Sequence, residues 1–288
     1  MHEILQNLGP GQRVLDIGSN AGSFDATIGP FIAIRADLDR PSSSIPNFAQ
    51  ADAAHLPFAD HSFDAVISNH SLEHFHDLTG SLSEIGRVLK PSGALFIAVP
   101  DASTFCDHLY RSLARGGGHV NAFTSAQELA GIIERATHLS HVSTRTLCTS
   151  LSYLNRKNRR VAGPRRLLLV GGGTEISLHV FTWFARLADR LFGTRLSVYG
   201  WALLFGNVAA SEDSAAWTNV CIRCGSGTSS DWLHESSLVR RRFLMKVYAC
   251  PNCGTTNLFS EDHRFPHFGP QDSAPSPKAN PQQPMAQL

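Results

Sequence analysis

Four cysteines in the C-terminal third of the chain have the spacing of a metal site. Cys221, Cys224, Cys250 and Cys253 form two C-x-x-C-G motifs. Two such turns supply four thiolates to one zinc ion, and a glycine after the second cysteine lets the backbone amides turn toward the sulfurs. Disulfides are the alternative, but the chain shows no secretory signal, which favours metal. Four cysteine ligands leave no open coordination position, so the motifs predict a structural zinc ion.

A glycine-bearing turn follows the first apolar run of the chain. Residues 14–17 are suited to a buried parallel strand, and residues 18–22 then lead into a predicted helix start at Phe24. Glycines in such a turn let the backbone approach a ligand beyond the carboxyl ends of the strands. The spacing differs from G-x-G-x-x-G, which disfavours a nicotinamide dinucleotide.

Four further apolar runs of strand length precede polar residues. The runs cover residues 31–36, 48–51, 63–68 and 94–99, and the polar residues are Asp37, Asp52, Asn69 and Asp101. Parallel strands present their carboxyl ends at one edge of a sheet, so we expect these side chains and Asp16 to lie near that edge. A helical pattern over residues 82–89 separates the last two runs, and the short link at 23–30 predicts an unusually short first helix. The fold class predicted is α/β.

Five sequence blocks resemble, in order and spacing, those of one protein family. They are the loop at 16–22 and the blocks at 52–58, 62–64, 72–74 and 87–93. Together they resemble class I S-adenosylmethionine (SAM)-dependent methyltransferases, type 11-like, over residues 12–101. Asn20 stands where the family usually has glycine, and asparagine tolerates positive φ. The resemblance implies a Rossmann-like, mostly parallel sheet with an antiparallel last strand, in which 141–151 and 196–208 form the final antiparallel pair.

The resemblance also implies a SAM site. The residues it assigns to the cofactor are Asp16, Gly18, Ser19, Gly22, Asp37, Asp52, Ala53 and Asn69. Asp16 would orient the glycine loop, whose amides approach the methionine moiety, and Asp37 would accept hydrogen bonds from both ribose hydroxyls. Asp52 and the Ala53 amide would meet the adenine. Asp39 is the alternative to Asp37, and each aspartate has the alternative role of capping a turn or helix.

Two histidines are candidates for handling a proton of the methyl acceptor. The sulfonium of SAM is already activated, so a base is needed only if the acceptor must lose a proton. His70, after the fourth strand, and His119 are the candidates because histidine titrates near neutrality, and a structural role is the alternative for each. A metal site at His70, His74 and His76 is disfavoured, because only Glu73 offers an acidic partner.

The 288-residue chain suits one domain plus a small module. We predict a SAM-binding domain at 1–212 with an insertion at about 155–192, a zinc ribbon at 213–262 and a disordered tail at 263–288. The insertion holds a basic stretch at 156–166 and an amphipathic helix, which either packs on the sheet edge or covers the substrate.

The composition of the chain limits the classes of binding partner that we expect. The formal charge of +1 gives no overall drive toward nucleic acid or membranes, and no apolar run reaches the roughly 20 residues that span a bilayer. A cytoplasmic enzyme acting on a small molecule, sugar or lipid precursor is predicted. The arginine run at 240–242 keeps an RNA or protein acceptor open, with a solvated basic strand as the alternative. Asn20 keeps open an inactive SAM-fold scaffold.

Overall fold

The computed structural model describes residues 1–19, 22–41, 44–113, 118–148, 175–208, 219–242 and 245–261. Asn20, the basic stretch at 156–166, the predicted domain boundary at 212 and the predicted tail at 263–288 lie outside these residues. Within the described ranges, no helix combines the length and the apolar character that crossing a bilayer requires.

A seven-stranded sheet forms the centre of the molecule. Its strands are β1 (Arg13–Ile17), β2 (Ile32–Asp37), β3 (Phe48–Gln50), β4 (Phe63–Asn69), β5 (Leu89–Pro100), β6 (His141–Leu147) and β7 (Gly200–Gly206). Their order is β3-β2-β1-β4-β5-β7-β6. Neighbours from β3 to β5 pair in parallel, and β7 lies antiparallel between β5 and β6. The predicted α/β class, the antiparallel last strand and the pairing of the two final segments are therefore confirmed.

The helices and the small strands cover the two faces of this sheet. The helices are α1 (His2–Leu5), α2 (Leu78–Val88), α3 (Phe105–Leu113), α4 (Ala126–Thr137), α5 (Glu175–Phe192) and α6 (Ser230–Glu235), with a 3-10 helix at Leu72–His74. The C-terminal strands are β8 (Asn219–Val220), β9 (Gly227–Thr228), β10 (Val239–Arg242), β11 (Met245–Ala249) and β12 (Thr256–Leu258). Helices α2 and α4 bury Leu82, Ile85 and Ile133 in the core on one face. The other face is covered by α1 and the cysteine motifs.

The prediction of a short helix after the glycine loop is wrong, since residues 22–30 form only turns and bends. Local hydrogen bonds account for this. Asp25 Oδ1 accepts from the backbone N–H and the hydroxyl of Thr27, at 2.9 and 2.8 Å. Such side-chain-to-backbone bonds offer the chain an alternative to helix. Phe24 and Phe31 then close the segment with an edge-to-face ring contact at 6.0 Å.

Two other boundary predictions have different outcomes. The sequence Ser125-Ala126-Gln127-Glu128 is a capping box and predicts a helix start. Ser125 does cap α4, because its hydroxyl accepts from the Glu128 N–H at 3.2 Å. Leu89 was expected to continue the helical pattern, but α2 ends at Val88 and Leu89 begins β5, where it pairs with Phe63.

Candidate functional site

The glycine loop packs tightly against the residues that follow β4. Gly18 has φ +65°, and a Cβ placed on it would lie 2.4 Å from the Cβ of Ser71. The Gly18 N–H donates to the Ala36 carbonyl at 2.8 Å, and the Ser71 hydroxyl donates to the Ile17 carbonyl at 2.9 Å. Only glycine fits both this backbone conformation and this close approach. The loop is thus held between the ends of β2 and β4.

Asp16 contacts the other end of the same loop, at Ser23. Its carboxylate is fully buried and accepts from the Ser23 N–H at 2.8 Å and from the Ser23 hydroxyl at 2.7 Å. Burial raises the pKa of Asp16 to about 6, although these hydrogen bonds and the nearby Arg35 act in the opposite direction. Asp16 is therefore tied to the end of the loop through Ser23, and its role toward SAM stays a prediction.

The three aspartates at the ends of β2 and β3 differ in their surroundings. Asp37 is half-buried, whereas Asp39 is exposed and donates its backbone N–H to Asp37 Oδ1 at 3.2 Å. Asp52 is exposed and its Oδ1 accepts from the Ala54 N–H at 3.0 Å, while Ala53 is buried. The Ala51 N–H donates to the Asp37 carbonyl at 3.0 Å, which ties the two strand ends together.

Asn69 and His70 both contact the cysteine module. The Asn69 side-chain amide donates to the Arg223 carbonyl at 3.2 Å. The His70 ring packs edge-to-face on Tyr199 with centroids 5.3 Å apart. Burial lowers the pKa of His70 to about 4, although a backbone hydrogen bond at Ile222 opposes the shift. At neutral pH such an imidazole is a weak proton acceptor.

His119 lies in a more polar setting. Its Nδ1 lies 3.0 Å from Oδ1 of the buried Asp107, whose other oxygen accepts from Arg111 Nε. Burial alone would raise the pKa of Asp107, but the hydrogen bonds from His119 and Arg111 hold it below its usual value. The ring of His119 also meets that of His74 edge-to-face at 4.9 Å. An anionic carboxylate therefore orients the His119 imidazole.

Glu73 is a buried acid that the sequence analysis considered only as the acidic partner of a disfavoured metal site at His70, His74 and His76. Its side chain is 1% exposed, and burial raises its pKa to about 8. Glu73, His74 and His119 each place a possible ligand atom within 4.8 Å of the others. The block Leu72-Glu73-His74 contributed to the family resemblance, but the burial of Glu73 near His119, 46 positions along the chain, is set by tertiary structure.

The four predicted cysteine ligands come together. Their sulfurs lie within 4.8 Å of one another, with 3.6 Å between Cys221 and Cys253 and 3.6 Å between Cys224 and Cys250. Zinc–sulfur bonds of about 2.3 Å in a tetrahedron place sulfurs about 3.8 Å apart, so the cluster fits zinc. Both following glycines adopt positive φ, Gly225 at +65° and Gly254 at +69°, as the motif predicts.

The cysteine module packs directly on the sheet. A Cβ on Gly225 would lie 2.8 Å from both the Ala202 Cβ and the Phe96 ring, which belong to β7 and β5. Buried Arg145 of β6 donates to the Gly225 carbonyl at 3.0 Å and to Glu3 Oε1 at 2.7 Å. Cys221, Cys224 and Cys250 thus share one apolar core with the sheet.

The fold and the site together define an α/β protein whose sheet order is that of class I methyltransferases, with a four-cysteine cluster packed on one face. Residues 15–97 match a family model described as a methyltransferase domain. The predicted resemblance is therefore confirmed over this part of the chain.

Individual relatives match mainly this domain. A demethylmenaquinone methyltransferase of Corynebacterium glutamicum is 36% identical over 105 residues, which cover 32% of this chain and 43% of that protein. The mitochondrial arginine-hydroxylase NDUFAF5 of Danio rerio is 33% identical over 106 residues, 34% of this chain and 33% of that protein. The chain thus spans less than half the length of these relatives.

The solved structures similar to this chain include the YcgJ protein of Bacillus subtilis, with 20% identity and a TM-score of 0.46 over 73% of this chain and all of that one.

Proposed function

We propose that this chain is a SAM-dependent methyltransferase whose acceptor is a small molecule, sugar or lipid precursor. The observation that carries the proposal is a series of backbone hydrogen bonds across three strand ends. Gly18 donates to the residue before Asp37, and the residue before Asp52 donates to Asp37. The loop and two carboxylates that the family uses for SAM are therefore held side by side at the carboxyl edge of the sheet.

Each residue then has a defined part in holding SAM. The backbone of Gly18, Ser19 and Gly22 lies against the methionine moiety, although the N–H groups of Gly18 and Gly22 already donate to the Ala36 and Ser19 carbonyls. Asp37 accepts from the ribose hydroxyls. Asp52 and Ala53 bind the adenine, with Asn69 at the neighbouring strand end. Three more observations support this set. The buried hydroxyl of Ser19 has no hydrogen-bond partner among the described residues. Asp37 is less exposed than Asp39, and Asp16 fixes the loop through Ser23.

His119 is the candidate that assists loss of a proton from the acceptor. Asp107 orients its Nδ1–H, so the lone pair of the neutral ring lies on Nε2. We do not assign this role to His70, because its lowered pKa and its packing between Tyr199 and the cysteine module favour a structural role.

The cysteine cluster is proposed to hold a structural zinc ion. Its four sulfurs have the separation that tetrahedral zinc requires, and all ligand positions are taken by cysteine. The ion would fix the two C-x-x-C-G turns that cover β5 and β7.

Calorimetric titration of zinc-loaded protein with SAM tests the methyltransferase proposal. We expect saturable heat at one site per chain, followed by methyl transfer to a small-molecule acceptor. Absence of heat with a folded, zinc-loaded sample would overturn it and leave the inactive SAM-fold scaffold.

An RNA or protein acceptor is the second candidate, and one observation favours it. Arg240, Arg241 and Arg242 are all exposed on β10. A gel shift with bulk RNA, weakening steeply with salt and lost when all three arginines are changed to alanine, would support RNA. Binding that is unaffected by the three changes would exclude this strand as the contact.

A further inference from the structure

Two histidines and a buried glutamate converge next to the glycine loop. Glu73 and His74 lie in the 3-10 helix after β4, and His119 comes from the segment that joins α3 to α4. A carboxylate oxygen and one ring nitrogen of each histidine lie within 4.8 Å of one another. The 3-10 helix follows Ser71, against which Gly18 packs, so the cluster stands directly beside the proposed SAM loop.

Both histidines are oriented in the way that metal ligands are. The Nδ1 atom of His119 is 3.0 Å from the Asp107 carboxylate, and that of His74 is 2.9 Å from the Gly118 carbonyl. Metal-binding histidines commonly donate their other ring N–H to a carboxylate or a backbone carbonyl, which fixes the tautomer and the ring. If Nδ1 of each ring carries the proton and donates to these partners, Nε2 is the nitrogen whose lone pair would bind a cation.

Glu73 supplies an independent indication of a ligand. Its side chain is 1% exposed, and its Oε2 atom has no hydrogen-bond partner among the residues that the structure describes. A buried polar atom without a partner costs free energy, and native proteins rarely keep one without a reason. A bound cation would supply the missing partner of this oxygen.

We propose that Glu73, His74 and His119 bind a divalent transition-metal ion, which in turn binds an ionisable hydroxyl of the methyl acceptor. Two imidazoles and one carboxylate are the donor set of metal sites that keep open positions for substrate. Bonds of about 2.0–2.2 Å require ligand atoms about 3–4 Å apart. Binding would therefore draw the ligand atoms, which lie within 4.8 Å of one another, slightly closer together.

This inference rests on the proposed function and specifies its acceptor. Coordination lowers the pKa of the bound hydroxyl, so its proton leaves to solvent, and His119 then assists this loss as a metal ligand instead of as the base. A lone pair of the resulting oxygen attacks the methyl carbon of SAM. The oxygen–carbon bond forms as the carbon–sulfur bond breaks, and the bonding pair stays on sulfur, which gives S-adenosylhomocysteine. No oxidant or reductant is required.

Cobalt titration of zinc-loaded protein tests the site. Metal analysis first establishes that the cysteine cluster is filled, and Co²⁺ is then added as the probe. We expect one further equivalent to bind with the weak visible bands of nitrogen and oxygen ligands and without thiolate-to-cobalt charge transfer. Glu73→Gln and His74→Ala should abolish this uptake. Asp107→Asn, which alters the partner of His119, should weaken it about 10- to 100-fold.

His76→Ala is the matched control, because His76 is an exposed histidine two positions from His74 and outside the cluster. It should leave cobalt uptake unchanged. Thermal melts check that each variant folds. If Glu73→Gln, which changes a buried side chain, unfolds the protein, His74→Ala remains informative because His74 is exposed. No uptake by the wild-type protein, uptake with thiolate bands only, or equal uptake by Glu73→Gln and His74→Ala would overturn the cation site.

SAM calorimetry on the same samples separates this inference from the proposed function. SAM binding without cobalt uptake overturns the cation site and leaves the methyltransferase proposal standing. Cobalt uptake that depends on Glu73 and His74, in a protein that does not bind SAM, supports the cation site and overturns the methyltransferase proposal.

Discussion

The side-chain amide of Asn69 donates a 3.2 Å hydrogen bond to the carbonyl of Arg223, which links the end of β4 to the first cysteine turn. Arg223 lies between Cys221 and Cys224, so a rearrangement of the metal ligands moves the group that Asn69 contacts. The cysteine module is therefore connected to the proposed SAM site by a direct contact as well as by shared core packing.

Removal of a zinc ligand should destabilise the sheet together with the module. Cys250 is buried in the core that includes Phe96 and Ala202. Structural zinc contributes on the order of 10 kcal/mol, comparable to the whole stability of a domain. We expect Cys250→Ser to lose zinc, the cooperative thermal transition and SAM binding together.

Cys148→Ser is the control, since Cys148 lies outside the cluster, and it should retain zinc. Zinc content is measured by metal analysis, the thermal transition by differential scanning calorimetry and SAM binding by titration. If Cys250→Ser loses zinc and still binds SAM with wild-type affinity, the sheet folds independently of the module.

The two carboxylates at the end of β2 should differ in their effect on SAM. Asp37→Ala removes a half-buried acceptor for the ribose, and a hydrogen bond to a charged group contributes about 1.5–3 kcal/mol. We expect SAM affinity to fall about 10- to 100-fold by calorimetry. Asp39→Ala, at an exposed position two residues along, should change the affinity less than about threefold. The reverse order would show that Asp39 is the ribose ligand.

Gly18→Ala should damage the loop by steric overlap in addition to backbone strain. The new Cβ would lie 2.4 Å from the Ser71 Cβ at a φ of +65°. Gly193 has the same φ of +65° with nothing within 4 Å, so Gly193→Ala isolates the strain. We expect urea unfolding to show a loss of about 1 kcal/mol for Gly193→Ala and about 2–5 kcal/mol for Gly18→Ala. Only Gly18→Ala should weaken SAM binding. Equal losses in the two variants would contradict the close packing of Gly18 on Ser71.

Asp16 should make stability fall as pH rises. Burial raises its pKa from 3.8 to about 6, so between these values the folded state binds more protons than the unfolded state. Ionisation of the buried Asp16 carboxyl therefore lowers the free energy of unfolding. The loss is absent below about pH 4 and reaches about 3 kcal/mol above about pH 6. Asp16→Asn keeps an oxygen that accepts from Ser23 and removes this titration.

The measurement is urea unfolding of both proteins between about pH 4 and pH 7, in the absence of SAM. The advantage of Asp16→Asn over wild type should grow with pH across that window. Asp25→Asn is the control. The pH dependence of its stability difference from wild type should have the opposite sign, because the hydrogen bonds of Thr27 lower the pKa of Asp25. A difference between Asp16→Asn and wild type that does not change with pH would show that Asp16 ionises normally.

Local patterns were sufficient for much of the fold. Apolar runs ending in polar residues located β1 to β4 within a residue or two, and the capping box located α4. The cysteine spacing predicted a cluster that the structure forms, because two C-x-x-C-G turns carry their geometry locally.

Features set by side-chain hydrogen bonds or by long-range packing were not predictable in this way. The missing helix at 22–30 depends on Asp25 and on the buried Asp16, whose effects are invisible to periodicity. The site at Glu73 requires His119 and Asp107 to be brought from α3 and the segment after it. Glu73 gives no sequence signal of its own burial, and the helical run ending at Leu89 does not show where the strand begins.

The packing of Gly225 on Phe96 and Ala202 also constrains how the protein is made. Synthesis proceeds from the N-terminus at about 5–20 residues per second, so every strand of the large sheet leaves the ribosome before the second cysteine pair does. Until Cys250 and Cys253 emerge, the apolar face formed by β5 and β7 lacks its cover. The four-cysteine cluster can therefore be completed only after all strands of the large sheet have been synthesised.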